Sequence, residues 1–214
     1  MTRWQTGSAL RALRIAAIAM AIGLPSAGCA SQQPTASASV AESSELASIA
    51  ASASAAPSET DAEPSWETVE IGGDGDARID MPGEPEVTEL ETPIGEGQVA
   101  ETTQFVVLLQ DREEGYFVST NVYPQSVIIQ DATAFVQVTL DGYLETSGAT
   151  VEDSELVDVV GADAALRFFA VASDGALVNG MYVVVNQTLY NLVASGQVDS
   201  EEQDMFFGSF EVRD

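Results

Sequence analysis

From Trp66 onward, apolar and polar residues alternate in short runs broken by turn residues, the period of half-buried β-strands. Trp66–Ile71 is a short first run, and Gly72–Gly75 turns the chain. Ala77–Met81 alternates as Ala-Arg-Ile-Asp-Met and stops at Pro82-Gly83. Val87–Thr92 is a weak strand, and Gln98–Gln110 is a long one with Phe105-Val-Val-Leu-Leu at its buried end. Asp111–Gly115 reads as a hairpin turn, with Tyr116–Tyr123 returning as far as Pro124.

The period then changes. Phe135, Val136, Leu140, Tyr143 and Leu144 share one face at helical spacing, so a helix is predicted over Ala132–Thr146. Asp131 caps its start and Gly148 ends it. Thr133, Val136, Val138 and Thr139 are β-branched, so this helix depends on packing more than on propensity. Four strands follow, at Glu152–Val160, Ala164–Ala172, Ala176–Val185 and Thr188–Ala194. Their turns fall at Gly161-Ala162-Asp163, Ser173-Asp174-Gly175 and Asn186-Gln187. A short last helix opens at Ser200, which has capping-box spacing to Gln203. Glu201, Glu202 and Asp204 favour its positive N-terminal end, while Phe206, Phe207 and Phe210, with Met205, supply its apolar face. The predicted class is α+β: an antiparallel sheet with one inserted helix and one C-terminal helix packing on it.

The order of these segments resembles the PsbP/Mog1-type fold, an α-β-α sandwich found in many bacterial lipoproteins. The resemblance is carried by ARIDMPGEPEV (77–87), YFVSTNVYP (116–124), LETSGA (144–149), GALVNGMYVVVNQTLYNLVASG (175–196) and FFGSFEV (206–212). No catalytic residue is among these segments. The resemblance implies an assembly or binding accessory rather than an enzyme.

Residues before Trp66 follow another logic. Arg3, Arg11 and Arg14 precede the apolar run Ile15–Leu24, which suits a signal-peptide core and is too short to cross a membrane comfortably. Ser26-Ala27-Gly28-Cys29 resembles the bacterial lipobox, departing from it at Ser26, where leucine is preferred. That resemblance implies a signal peptide over 1–28 and acylation of Cys29, with palmitate-type chains holding the protein on the outer face of the cell membrane. Residues 29–65 are rich in Ala, Ser, Pro, Glu and Thr without an aromatic, a composition that cannot offset its ordering entropy. They are expected to form a disordered tether. Residues 66–214 are then a single acidic domain.

Charge narrows the partners. The chain holds 34 acidic residues against 7 basic ones and has no histidine. All the basic residues are arginine, and 66–214 alone carries 29 acids and 4 arginines, a net −25. Nucleic acid and anionic lipid head groups need basic patches, so neither is expected as a partner. An envelope protein or a small ligand remains. The acidity reads as adaptation to salt or solubility, with cation binding as the competing idea.

Missing residue types exclude much chemistry. Without histidine there is no Ser-His-Asp or Cys-His mechanism, and without lysine no Schiff base, Ser-Lys dyad or Walker lysine. Cys29 is the single cysteine, so the usual His/Cys zinc sites are absent and no cofactor is expected. Asp74, Asp76 and Asp80 make an oxygen-rich turn of the type that takes Ca²⁺, without an EF-hand's length or closing glutamate. Arg167, inside the apolar run Leu166-Arg-Phe-Phe, is expected to pair with a carboxylate. Three readings stay open: a lipid-anchored, non-enzymatic binding module; a carboxylate-pair hydrolase; and an acidic surface protein without a specific ligand.

Overall fold

The computed structural model describes residues 64–72, 76–95, 97–110, 112–196 and 200–213. The signal, Cys29, almost all of the tether and Asp74 of the Ca²⁺ candidate fall outside these residues.

The alternation in Ala77–Met81 becomes strand β2 (Ala77–Pro82), with Ala77, Ile79 and Met81 inward and Arg78 and Asp80 on the other face. It pairs antiparallel with β1 (Trp66–Ile71). Its other edge takes β10 (Glu211–Val212), a two-residue strand tied by an ion pair from Arg78 to Glu211. These three strands form a small sheet of their own, which corrects the expectation of a single sheet. Gly83 is the reason they do not run on into the next strand: its φ of 114° bends the chain out of β2.

The main sheet has seven strands: β3 (Glu86–Gly95), β4 (Gln98–Leu109), β5 (Glu114–Val122), β6 (Thr150–Leu156), β7 (Ala164–Val171), β8 (Leu177–Val185) and β9 (Thr188–Ser195). Their spatial order is β3-β4-β5-β9-β8-β7-β6, and every neighbouring pair is antiparallel. The middle strands are buried almost throughout and the two outermost are largely exposed. β3, predicted weak, is a full ten-residue strand, because pairing with the long β4 compensates for its poor propensity. The strand predicted over Glu152–Val160 stops at Leu156. Val157 and Val159 continue the alternation but pack on the core as a loop, which turns where the Ala162 N–H donates to the Val159 carbonyl.

Helix α1 (Ala132–Ser147) has the predicted caps. The Asp131 carboxylate accepts the Ala134 N–H (2.9 Å), and the N–H of Gly148, at φ 64°, donates to the Leu144 carbonyl. The inward Thr139 spends its hydroxyl on the Phe135 carbonyl (2.8 Å), so burying it leaves no unpaired group. α1 lies over β7 and β8, placing Val136 and Leu140 among Leu166, Phe168, Ala170, Tyr182 and Val184.

The opposite sheet face carries Tyr116, Val118, Met181, Val183, Tyr190 and Leu192. It is covered by the small sheet through Ile71, Ile79 and Met81, and by helix α2 (Ser200–Gly208) through Phe206 and Phe207. Phe210, expected on that helix, packs into the same core just beyond its end, while Met205 stays 44% exposed. The protein is α+β, with the small sheet and α2 on one side of the main sheet and α1 on the other.

Candidate cleft beside the edge strand

α1 is narrower than the sheet it covers, and an open cleft of about 370 Å³ lies between it and β6. Gln137, Leu140 and Asp141 line the helical side, with Ser154, Glu155, Leu156 and Leu166 on the sheet side. Leu140 and Leu166 are buried and make an apolar floor. Leu156 extends that floor toward solvent, 53% exposed.

Strand alternation divides the carboxylates. Ser154 and Leu156 stand opposite Phe168 and Leu166, on the α1 face. Glu155 stands opposite Arg167, so its side chain leaves on the other face and only its backbone and stem reach the cleft. Arg167 in turn lies over the Phe207 ring, 5.0 Å from its centroid, and 3.7 Å from the Asp204 carboxylate. The expectation that Arg167 pairs with an acid is met on the α2 side. Asp141, exposed at the helix surface, is thus the one carboxylate whose side chain borders the cleft, and no facing acid–base pair of the hydrolase kind assembles there.

Of the Ca²⁺ candidates, Asp76 and Asp80 are among the described residues and Asp74 is not. Asp80 accepts the Thr68 hydroxyl across the β1–β2 ladder (2.6 Å), and Asp76 is exposed at the strand's start. No group of three or more Cys, Asp or Glu side chains among the described residues is placed to hold a metal ion. None of the described helices is long and apolar enough to cross a membrane.

Two polar clusters escaped the sequence reading. In the first, Arg112, in the β4–β5 turn, donates to Glu202 of α2 (Nη1 to Oε1, 2.7 Å) and sits 3.0 Å from Glu114. Hydrogen bonding to Glu202 raises the Arg112 pKa further, against a smaller opposing effect of burial. Burial, and then the charges of Glu202 and Glu114, push the Tyr116 hydroxyl well above its ordinary range. In the second, the Thr102 hydroxyl links Thr92 (2.8 Å) to Asn121 (3.0 Å), and Asn121 donates to Ser119 (3.2 Å). Their cross-element links, Arg112 to Glu202 and Thr102 to Thr92 and Asn121, join residues 10 to 90 apart in sequence, so no local spacing announces them.

No family model matches the chain, and no curated protein matches it. Among solved structures, the solution structure of cyanobacterial PsbP (CyanoP) from Synechocystis sp. PCC 6803 is similar, at 15% identity and a TM-score of 0.48. It covers 74% of this chain and 98% of that one. At that score the likeness carries no argument about ligand or location, and the α+β assignment rests on the strand order and helices above.

Proposed function

We propose that this chain is an extracytoplasmic lipoprotein, held on the cell membrane through acylated Cys29, whose domain is a non-enzymatic binding module with its ligand site in the α1–β6 cleft. One observation carries the reading of the domain: Leu156 extends an apolar floor into an open cleft bounded by a helix and by a sheet edge that no described strand pairs with. Ligand sites combine a concave apolar surface with polar groups that fix orientation, and here Gln137, Asp141 and Ser154 border the three leucines. The lack of histidine and lysine, and the single carboxylate bordering the cleft, support binding over catalysis. The anchor rests on the sequence alone, on the apolar run and the small residues that end at Cys29.

A photoreactive amino acid placed at Ser154 or Gln137 tests the cleft in the living cell. Both positions should crosslink to one discrete envelope component, while the exposed control position Val99 should not. Equal labelling at all three would sink the cleft assignment. The anchor is read separately: Cys29→Ala should move the protein out of the membrane fraction.

A further inference from the structure

We propose that β6 and the cleft beside it form a docking site for an extended, basic segment of another protein, which adds to the main sheet as an eighth strand. This rests on the reading of the cleft as the ligand site and names its occupant. Among the described residues β6 ends the sheet, pairs only with β7, and is exposed along its whole length.

The ladder's parity identifies its free groups. The Val157 N–H donates to the Ala165 carbonyl (3.0 Å), so Val157 and, two residues back, Glu155 turn their backbone groups toward β7. Ser154 and Leu156 therefore turn theirs to the open edge, and their side chains line the cleft. A register shift between Val151 and Asp153 limits the regular edge to Asp153–Leu156. In a guest strand, residues opposite Ser154 and Leu156 project on the α1 face. A lysine or arginine there lays its stem along Leu156 and Leu140 and carries its charge to Asp141.

Charge selects the guest. Glu152, Asp153, Glu155 and Asp158 on and after β6, and Asp141 and Glu145 on α1, are all exposed. Acids along an edge discourage pairing with like-charged strands. A second copy of this domain, itself at −25, is repelled, whereas a segment with alternating basic residues is attracted.

The test uses the full chain in neutral detergent at low salt, titrated with a short, end-blocked peptide alternating Lys and Thr. The peptide should bind, slow hydrogen exchange at the Ser154 and Leu156 amides, and leave Glu155 unchanged because its amide is already bonded. Ser154→Pro keeps the β7 ladder, since its N–H points outward, and should weaken the peptide about tenfold or more with little change in melting temperature. Asp141→Asn, on the exposed helix face, should also weaken it. A Glu-Thr peptide should not bind. Slow exchange without any loss in Ser154→Pro, or binding without slow exchange, overturns strand addition. Benzylammonium separates the two readings because it has no backbone to pair. If it shifts the Leu140 and Leu156 resonances while the peptide fails, the cleft reading stands without strand addition; if neither binds, both fall.

Discussion

Phe168 occupies the space that a side chain at Gly180 would need. The two are cross-strand partners in β7 and β8, and a Cβ built on Gly180 falls 2.1 Å from the Phe168 ring. The ring is held in place from both sides, stacked on Tyr182 at 5.2 Å and tilted against Tyr143 at 5.7 Å. Gly180→Ala should therefore force the ring out of a packed position and cost about 1–3 kcal/mol. Thermal melting reads the loss directly. An unchanged melting temperature would mean that the ring moves freely, against the packing described.

The Arg112 cluster clamps the β4–β5 turn to α2. Glu114 is buried, so removing the guanidinium takes a close ion pair from its carboxylate. Arg112→Met should destabilise by about 1–3 kcal/mol, the range for losing hydrogen bonds between charged groups. Glu202→Gln keeps a hydrogen-bond acceptor and should cost less. Hydrogen exchange should show α2 loosening first in both variants; uniform loosening of the whole domain would argue against a local clamp.

The legible parts of this fold were those with local causes. Asp131 and Gly148 announce α1 because a cap acts within one turn, and Asn186, at φ 53°, marks the β8–β9 hairpin for the same reason. The strand order and the division into two sheets were not legible. β2 pairs with β10 across more than half of the domain, and nothing near either strand encodes that. The cleft was hidden too. It exists because the strand after α1 lands at the sheet's edge, beyond the helix's cover, and Leu156 in the sequence looks like any inward strand residue.

All five tyrosines have raised pKa values. Burial pushes Tyr123 and Tyr190 up to about 12, with the charge of Asp76 adding to the second. Burial is also the leading cause at Tyr116, Tyr143 and Tyr182. Above pH ~10 the unfolded chain releases these protons while the folded one retains them. The unfolded state then binds fewer protons, and stability falls as pH rises through the folded values. Each tyrosine contributes a slope of up to about 1.4 kcal/mol per pH unit. Melting temperature should drop steeply between about pH 10 and 12, and tyrosinate absorbance should appear together with unfolding. Absorbance that rises well before unfolding would contradict the burial.

Salt should stabilise this domain. Residues 66–214 carry a net −25, and all four arginines there are already engaged: Arg78 with Glu211, Arg112 with Glu114 and Glu202, Arg167 with Asp204, and Arg213 with Glu70. With 29 acids to 4 arginines, carboxylates far outnumber cations and repel one another over a Debye length of ~30 Å at 0.01 M salt. That repulsion is stronger in the folded domain than in the expanded chain, and it subtracts from a stability of typically ~5–15 kcal/mol. Added salt also weakens the ion pairs, but exposed pairs contribute only ~0–1 kcal/mol each, so screening of the repulsion wins. Sodium chloride should raise the melting temperature smoothly, most steeply below about 0.5 M, where the Debye length changes most. Calcium at matched ionic strength separates the two ideas, because screening alone predicts no gain beyond that of sodium chloride. A saturable gain in calcium that disappears in Asp76→Asn would instead establish a specific site at that turn. A melting temperature that stays flat from about 0.01 to 1 M sodium chloride would remove the repulsion argument.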